Sequence, residues 1–355
     1  MYVTDVVRRF ADLSAPLRVL DLCAAPGGKS TAVRGVLPEG SLLMSNEPMR
    51  LRANILMENI QKFGHPDVIV TNNYAIDYQR SGLKFDVVIA DVPCSGEGMF
   101  RKDEGAVREW STANVRKCAA LQREIITDIM PCLRDGGLLI YSTCTFNAHE
   151  DEENVDFIVD TWDMERLDMR HFIPGETRTE GLFMATLRKP GSGNPVMSAS
   201  TGKKKDKKAK KGKQGNAPAV QGAKTVSAWH AAGENYDVAM LGGVGKTGRD
   251  VFDTSVDKLR VIHAGVELGE QKGKDIVPSE SLALSLSLAP DAFPVADVDL
   301  ETALSYLRRE PITLSGSMPH GYVLVSYKGL PLGFVKNLGN RTNNLFPQEW
   351  RIRNK

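Results

Sequence analysis

Short apolar runs alternate with stretches of helical periodicity over the first 190 residues of the chain. The apolar runs predict strands at residues 18–22, 41–47, 67–72, 85–92, 137–143 and 182–189. Between them, apolar residues at helical spacing predict helices at 28–37, 49–63 and 114–133. This alternation predicts an α/β fold with a mainly parallel sheet covered by helices on both faces. Ligands are then expected at the carboxyl ends of the strands.

Two local signals refine this pattern. The Asp-Gly-Gly segment at 135–137 is typical of a helix end, so it is predicted to terminate the helix over 114–133. A further helix is predicted to begin near Ala148, because the acidic run at 150–153 suits the positive end of a helix dipole.

Residues 225–355 have a different pattern, in which short apolar runs are separated by glycine and proline. Strands are predicted within 257–269, 311–316, 321–329 and 331–339, and a helix over 299–307. The alternating Leu-Ser stretch at 281–289 is compatible with a half-buried strand or a short helix. These elements predict a small α+β or β-barrel-like module.

The segment between these two regions, residues 191–224, contains Gly, Ser, Ala, Pro and Lys and almost no large apolar side chain. Such a composition cannot bury enough surface to offset its chain entropy, so it predicts a disordered linker. Eight lysines and one aspartate at 203–213 give the linker a local charge of +7. The run serves either as a solvated tether or as a sequence-independent phosphate tether.

Composition narrows the class of protein. The 355 residues are 42% hydrophobic and 25% charged, which excludes wholesale disorder, collagen and disulfide scaffolds. The net charge is +1, so the lysine run leaves −6 on the rest of the chain and no general basic field covers the folded parts. No apolar run reaches ~18 residues and the first residues lack an apolar signal core. Five cysteines without paired metal-ligand spacing predict reduced cytoplasmic thiols and no metal, in a protein expected to be a monomer.

The first candidate site is VLDLCAAPGGKST at residues 19–31, where a strand ending in Asp21 leads through small residues and two glycines into a helix. Small side chains let a ligand approach the backbone, and the helix N-terminus favours an anionic group. The segment matches neither of the common dinucleotide and nucleoside-triphosphate motifs. Glu47 at the end of the next strand is placed to bind ribose hydroxyls. A nucleoside with a carboxylate fits S-adenosylmethionine, although the glycine segment alone could be a structural turn.

The second candidate site consists of two cysteines at strand ends. Asp91 and Cys94 lie in ADVPCSGEGMFRKD at 90–103, and Cys144 lies in YSTCTF at 141–146. Either cysteine alone would be taken as a small buried hydrophobic residue. Two thiols and an acid at one sheet edge favour chemistry instead, and the absence of a CxxC spacing argues against a redox pair. Cys118 and Cys132 are interpreted as helix-packing residues.

A thiolate, an acid and S-adenosylmethionine together suit methylation of cytosine carbon 5. That carbon is not nucleophilic until a thiolate adds to carbon 6 and forms an enamine. A carboxyl group at ring nitrogen 3 stabilises the charge that develops there. Methylation of exocyclic nitrogens needs no such thiol.

At these residues the chain resembles the RNA cytosine-5 methyltransferases of the NOL1/NOP2/Sun family. DLCAAPGGKST, DVPCSGEGMFRKD and YSTCTF match the family in order and spacing, over about residues 3–190. The resemblance implies a Rossmann-like S-adenosylmethionine-dependent methyltransferase fold, with Cys144 as the nucleophile and Cys94 assisting product release. It implies that the cofactor contacts are Cys23, Ala24, Ala25, Pro26, Gly27, Gly28, Lys29, Glu47, Asn73 and Asp91. Asp91 serves both the substrate and the cofactor.

The segment GLPLGFVKNLGNRTNNLFPQEWRIR at 329–353 resembles the carboxyl end of the bacterial RsmF-type branch, which modifies small-subunit ribosomal RNA. There it forms a PUA-like RNA-binding module, which favours rRNA over tRNA. The candidate phosphate contacts are Arg101, Lys102, Lys336, Arg341, Arg351 and Arg353.

The chain departs from the family pattern at two places. Asn73 and Tyr74 stand where many members carry an aspartate that contacts the adenine amine, and the amide oxygen of Asn73 can still accept from that amine. Family members also carry an N-terminal RNA-binding region, and Met1 falls close to the end of the segment that precedes the first strand. We therefore expect the chain to lack that region.

The sequence thus predicts an S-adenosylmethionine-dependent RNA cytosine-5 methyltransferase acting on 16S rRNA. One alternative is the same chemistry on tRNA. The other is a catalytically weak RNA-binding or ribosome assembly factor, against which the intact Asp91, Cys94 and Cys144 argue.

Overall fold

The computed structural model describes residues 1–177, 180–191, 225, 227–229, 237–241, 244–248 and 258–353, with backbone alone at 237–241 and 244–248. The lysine run and all but residue 191 of the predicted linker lie outside these residues. The described residues form two compact units. The first contains residues 1–59, those described between 67 and 191, and 258–263. The second contains residues 60–66, those described between 225 and 248, and 264–353.

The first unit contains an eight-stranded sheet in the order β10-β3-β2-β1-β4-β5-β7-β6. Strands β1 to β5 are mutually parallel where they pair, whereas β7 runs antiparallel to both β5 and β6. The strands are β1 Arg18–Asp21, β2 Leu42–Asn46, β3 Val68–Thr71, β4 Phe85–Asp91, β5 Leu133–Thr143, β6 Glu165–Phe172, β7 Leu182–Arg188 and β10 Val261–Ala264.

Seven helices are described in this part of the chain. They are α1 Tyr2–Phe10, α2 Gly28–Arg34, α3 Arg50–Phe63, α4 Ala75–Ser81, α5 Glu104–Glu109, α6 Thr112–Ile129 and α7 Glu152–Trp162. Residues of the central strands are almost entirely buried, which matches their uninterrupted apolar sequences. Because β1, β2, β4 and β5 are parallel, the segments that follow them leave the same edge of the sheet.

The α/β fold and all six predicted strands of this region are confirmed, with shifts at their ends. The predicted end of the third helix at 135–137 is wrong, because α6 ends at Ile129 and β5 already begins at Leu133. There Gly136 has a φ of 72° and the β4–β5 register shifts, so the glycine pair bends a strand instead of ending a helix. The helix predicted near Ala148 begins at Glu152. Strand β6 was not predicted, because it lies at a sheet edge and its charged residues obscure the alternation of apolar and polar positions.

The second unit contains two four-stranded sheets, in the orders β12-β11-β9-β8 and β13-β14-β15-β16. Their strands are β8 Asp237–Leu241, β9 Val244–Gly248, β11 Val266–Lys272, β12 Asp275–Pro278, β13 Val295–Asp297, β14 Gly321–Tyr327, β15 Leu330–Asn337 and β16 Thr342–Asn344. Two helices accompany them, α8 Glu280–Ala283 and α9 Leu300–Leu307. One core surrounds Leu268 and Phe334, and the other surrounds Tyr306 and Val325.

The α+β character of this module is confirmed, and its Leu-Ser stretch begins with the short helix α8. The strand predicted at 311–316 is wrong. Ile312 is buried in the core, but its carbonyl accepts a hydrogen bond from the Thr342 hydroxyl at 2.5 Å and the segment joins no sheet. No helix in the described part of either unit is long and apolar enough to cross a membrane.

Candidate active site

The loop between β1 and α2 presents backbone to the sheet edge. Gly27 has a φ of 113°, a conformation that an L side chain rarely adopts. A Cβ atom on Gly28 would meet no atom within 4 Å, so the start of α2 is open to a ligand. The loop is anchored from α3, where Arg52 donates to the Ala25 carbonyl at 3.0 Å and Asn59 donates to the Pro26 carbonyl at 2.8 Å.

Two buried carboxylates flank this loop. Asp21 accepts from the Ser30 hydroxyl at 2.7 Å, while its Oδ1 has no hydrogen-bond partner among the described residues. Burial raises the pKa of Asp21 to about 7, against the opposing hydrogen bond from Ser30. Glu47 accepts from the Met49 backbone at 3.0 Å, and its buried Oε2, also without a hydrogen-bond partner there, lies 3.5 Å from Arg52.

These acceptors fit the predicted cofactor. A buried carboxylate oxygen without a donor is costly unless a ligand hydroxyl or ammonium group supplies one. Glu47 can take ribose hydroxyls, the backbone of Gly28 can approach a carboxylate, and Asp21 offers a further acceptor. S-adenosylmethionine carries all three complementary groups.

Asn73 holds a strand in place. Its Oδ1 accepts from the Arg260 backbone at 2.9 Å, and its Nδ2 donates to the carbonyl of the same residue at 3.3 Å. The amide that was expected to contact adenine is therefore engaged next to β10. The neighbouring Tyr74 is largely exposed.

Asp91 ends β4 between two donors. Lys29 of α2 donates to its Oδ2 at 2.8 Å, and the Ser142 hydroxyl of β5 donates to its Oδ1 at 2.6 Å. The Asp91 side chain is 29% exposed, so the carboxylate is fixed and still accessible. It links the cofactor loop to the strand that carries the second cysteine.

The two predicted site cysteines lie together. The Cys94 and Cys144 Sγ atoms are 3.0 Å apart, and the Cys144 backbone N–H points to the Cys94 sulfur at 3.3 Å. A hydrogen bond from Cys94 lowers the pKa of Cys144, assisted by nearby Lys29 and opposed by burial and Asp91. The same hydrogen bond and burial raise the pKa of Cys94. Cys144 is thus the thiol of the pair that loses its proton more readily.

Two glutamates tie the cysteine loops to each other. Glu97, three residues after Cys94, accepts from the Thr145 hydroxyl at 2.7 Å and the Phe146 backbone at 2.9 Å. Burial opposes the charge of Glu97, but these hydrogen bonds outweigh it and lower its pKa.

The second glutamate, Glu150, comes from the loop after Cys144. It accepts from the Ser95 backbone at 3.0 Å and from Gln122 at 2.7 Å. Each loop therefore supplies a carboxylate that binds the other loop, and together these contacts set the approach of the two sulfurs.

Sequence reasoning missed both glutamates as site residues. Glu97 stood inside the motif already singled out, three residues from Cys94. Glu150 was assigned to the dipole of a helix that in fact begins two residues later. Glu150 is fully buried, and its place in an acidic run gives no indication of this.

The other three cysteines do not join this site. The pKa of Cys23 is raised by burial and by the acids around the cofactor loop. Cys132 is buried in a short 3-10 turn after α6, and Cys118 lies on α6 itself.

A histidine lies between two carboxylates beside α7. His171 Nε2 is 2.8 Å from Glu152, and its Nδ1 is 3.8 Å from the buried Asp151. These carboxylates face opposite ring nitrogens, and only the contact with Glu152 is within hydrogen-bonding distance. Burial raises the pKa of Asp151 to about 8.

The residues predicted to contact RNA fall into three groups. Arg101 and Lys102 both form ion pairs with Glu180 at 3.4 Å. Lys336 forms an ion pair with Asp275 at 2.5 Å and lies over the Tyr322 ring. The remaining three, Arg341, Arg351 and Arg353, are exposed and form no ion pair with the described residues.

Comparison with known proteins identifies the relatives of this chain. The family model described as 16S rRNA methyltransferase RsmB/F matches residues 12–188, and that of the methyltransferase RsmF PUA domain matches residues 293–352. The chain is 28% identical to ribosomal RNA small subunit methyltransferase F of Enterobacter sp. (strain 638), over 97% of this chain and 75% of that protein. The same-named protein of Escherichia coli (strain SMS-3-5 / SECEC) is 29% identical with equal coverage.

Solved structures also match. The crystal structure of NSun6 from Pyrococcus horikoshii with SFG is 28% identical, with a TM-score of 0.45, over 50% of this chain and 48% of that one. The chain thus spans about half the length of that solved protein.

The two family models cover the loops that carry Cys94 and Cys144 in the first unit and all of β13 to β16 in the second. With S-adenosylmethionine as its cofactor, the chain belongs to the RsmB/F family of 16S rRNA methyltransferases, and its carboxyl end is an RsmF-type PUA domain.

Proposed function

We propose that this enzyme methylates carbon 5 of a cytosine in 16S rRNA through a covalent adduct between Cys144 and carbon 6 of the base. The observation that carries the proposal is the pair of thiols 3.0 Å apart, in which Cys144 has the lowered pKa. A thiolate is the form that can add to the ring. The names of the relatives support small-subunit ribosomal RNA as the substrate, and the description of the family model supports 16S rRNA.

The chain's own residues account for each step. The Cys144 sulfur bonds to carbon 6, and the electron pair of the 5,6 double bond becomes available at carbon 5. Ring nitrogen 3 gains negative charge in this step, and a proton shared with the Asp91 carboxyl group, which Lys29 and Ser142 hold in place, neutralises that charge. S-adenosylmethionine supplies the methyl group that carbon 5 accepts. A water molecule acting as base then takes the carbon 5 proton. The electron pair of that C–H bond restores the 5,6 double bond, and the bond between Cys144 and carbon 6 breaks to release the thiolate, with Cys94 assisting this release.

On this proposal, Glu47 and the backbone from Cys23 to Lys29 hold the cofactor. Asn73 supports the adenine end from its place beside Arg260. An enzyme of this kind acts in the cytoplasm, where ribosomal RNA is assembled.

The test is methyl transfer from labelled cofactor to naked 16S rRNA, assembled 30S subunits and tRNA, followed by nucleoside analysis. We expect 5-methylcytidine in a small-subunit substrate. Product only in tRNA would show that the substrate is tRNA and not 16S rRNA. A methyl group on another atom would contradict methylation of cytosine carbon 5.

RNA containing 5-fluorocytosine tests the covalent step separately. After methyl transfer carbon 5 has no proton to lose, so the Cys144 adduct should accumulate and survive denaturation. Methylation of normal RNA without any adduct on the fluorinated RNA would contradict the proposed intermediate.

A further inference from the structure

A polar groove of about 370 Å³ lies at the carboxyl end of α9 in the second unit. Arg308, Arg309 and Arg351 line it, together with Thr342, Asn343 and Gln348. No acidic residue is among the described residues that line it, although Glu310 and Glu349 are neighbours in sequence. Its volume is within the range of ~300–1,000 Å³ that is typical of ligand pockets. We refer to it as the α9 groove.

Basic residues at a helix end often serve only to satisfy the last carbonyls and the helix dipole. Here other groups bind those carbonyls. The Tyr306 carbonyl accepts from the Asn344 side chain at 2.9 Å, and the Leu307 carbonyl accepts from the Ile352 backbone at 3.0 Å. The guanidinium groups of the α9 groove are therefore available for another partner.

The arginine donors in the α9 groove are only partly used within the protein. Arg308 Nε is buried and has no hydrogen-bond partner among the described residues. Arg309 donates to Gln348 Oε1 at 2.6 Å, and Arg351 is exposed without an ion pair to any described residue. A buried donor without an acceptor is costly, which indicates an anionic ligand with several oxygens.

Arg309 also occupies an unusual backbone position. Its φ is 67°, and its N–H and that of Glu310 bind the Tyr306 and Ser305 carbonyls in the pattern that ends a helix with a left-handed residue. Glycine is the usual residue at that place. This left-handed backbone conformation costs free energy for an arginine. The side chain starts from a backbone position that the helix end holds fixed.

The amide side chains indicate which anion fits. Gln348 accepts from Arg309 and so keeps its NH₂ group for donation, while the exposed Asn343 can donate and accept. A phosphodiester with its sugar and base offers acceptors and a 2′-hydroxyl to such groups, whereas a carboxylate side chain offers only its two oxygens.

From these contacts we propose that the α9 groove binds one phosphodiester of an RNA strand on Arg308, Arg309 and Arg351, with the adjoining nucleoside on Asn343 and Gln348. This inference rests on the proposed RNA substrate. It places the phosphate contact of the second unit in the α9 groove and leaves Lys336 as a structural ion pair with Asp275.

The test measures binding of a fluorescent single-stranded RNA oligonucleotide of mixed sequence to the full chain over a series of salt concentrations. The test variant is Arg309→Gln with Arg351→Gln, both exposed residues. The matched control, Lys272→Gln with Lys274→Gln on the β11–β12 hairpin, removes the same charge from exposed positions outside the α9 groove. We expect about tenfold weaker binding for the test pair, and a salt slope reduced by about 0.7 per lost contact.

A third variant, Arg309→Lys with Arg351→Lys, keeps the charge but loses the planar fork. It should retain the salt slope while binding more weakly than the wild type. Equal affinity and slope for the arginine-to-glutamine pair and its lysine control would overturn the proposal. So would equal losses of binding to the RNA and to polyglutamate, which would assign the α9 groove to acidic peptides.

These outcomes are independent of the proposed cytosine chemistry. If that chemistry is wrong, the position of the methyl group changes but the binding difference between the two variant pairs remains. If the α9 groove is wrong, the arginine variants still methylate cytosine with an unchanged KM for RNA.

Discussion

The cysteine side and the cofactor side of the same sheet edge are built differently. Around Cys94 and Cys144, the carboxylates of Glu97 and Glu150 have donors on both oxygens from within the protein. Around the β1–α2 loop, the carboxylates of Asp21 and Glu47 each keep one buried oxygen without a hydrogen bond to a described residue. The thiols are thus positioned by the protein itself, whereas the cofactor side leaves buried acceptors open to the donors of a ligand.

The loss of a carboxylate should therefore have different effects on the two sides. On the cysteine side a change disturbs the fold of two loops and the geometry of the thiols. On the cofactor side it should change ligand affinity and leave the thiols in place.

The largest expected effect concerns the thiols. Cys144→Ala should abolish both methylation and any covalent RNA adduct, because no thiolate remains to add to the ring. Cys94→Ala should trap a covalent protein–RNA species, because addition and transfer proceed while release stalls. Denaturing gels with labelled RNA measure both, and Cys118→Ala on α6 is the matched control. An adduct with Cys144→Ala and none with Cys94→Ala would reverse the two roles.

The next effect tests the ties between the loops. Glu150→Gln keeps the shape of the side chain but must direct an NH₂ group at a donor, because Oε1 faces Asn147 and Oε2 faces Gln122. One unsatisfied buried contact costs about 1–3 kcal/mol. We expect a lower melting temperature, together with slower alkylation of Cys144 by iodoacetamide.

The exposed Glu153→Gln on α7 is the control for that experiment. Its hydrogen bond with His149 is at the surface, so its effect should stay within about 0.5 kcal/mol. If Glu150→Gln alters stability but leaves the pH profile of Cys144 alkylation unchanged, Glu150 supports the fold without setting the thiol.

Most of the fold could be predicted from the sequence, and so could the proximity of Cys94 to Cys144. The strands that place Asp91, Cys94 and Cys144 are apolar and buried on both faces. Their apolar runs can therefore be recognised from the sequence alone. The hydrogen-bonding carboxylates could not be predicted in the same way. Glu150 and Glu152 look alike in an acidic run, and only the three-dimensional position of Ser95 and Gln122 distinguishes the buried one.

The basic residues show the same limit. Lys336 and Arg351 were equivalent as charges in the carboxyl-terminal segment. Folding brings Asp275, which is 61 residues earlier in the chain, against Lys336, while Arg351 lines the α9 groove. The charge of a residue can be read from the sequence, but the residue that pairs with it in the folded protein cannot.

A smaller effect is expected on the cofactor side. Glu47→Ala should weaken S-adenosylmethionine binding by about 1–3 kcal/mol, because ligand hydroxyl groups lose their acceptor. Glu47→Gln keeps one acceptor oxygen and should lose less. Titration calorimetry measures both, with the exposed Glu39→Ala as the control. Unchanged affinity for Glu47→Ala would remove this residue from the cofactor site, and a changed alkylation rate of Cys144 would contradict the separation of the two sides.

The smallest effect is a difference in pH dependence between the two sides. Burial raises the pKa of Asp21 to about 7, so the folded state keeps this proton where the unfolded chain has lost it. Its stabilising contribution is complete below about pH 4 and is lost as the pH rises to 7. Glu97 has a lowered pKa, so its contribution is present above about pH 4.5 and is lost in acid. The two carboxylates therefore act in opposite directions.

Thermal unfolding of the full chain from pH 3 to pH 8 measures this difference. Asp21→Asn should flatten the decline between pH 4 and 7. The remaining decline is due to groups such as Asp151, with a pKa of about 8, and Glu280, whose pKa burial also raises. Glu97→Gln should instead flatten the acid limb below about pH 4.5. Asp21→Asn and wild-type curves that run parallel across pH 4 to 7 would show that Asp21 is ionised in the folded protein. The cofactor side would then be as well satisfied as the cysteine side.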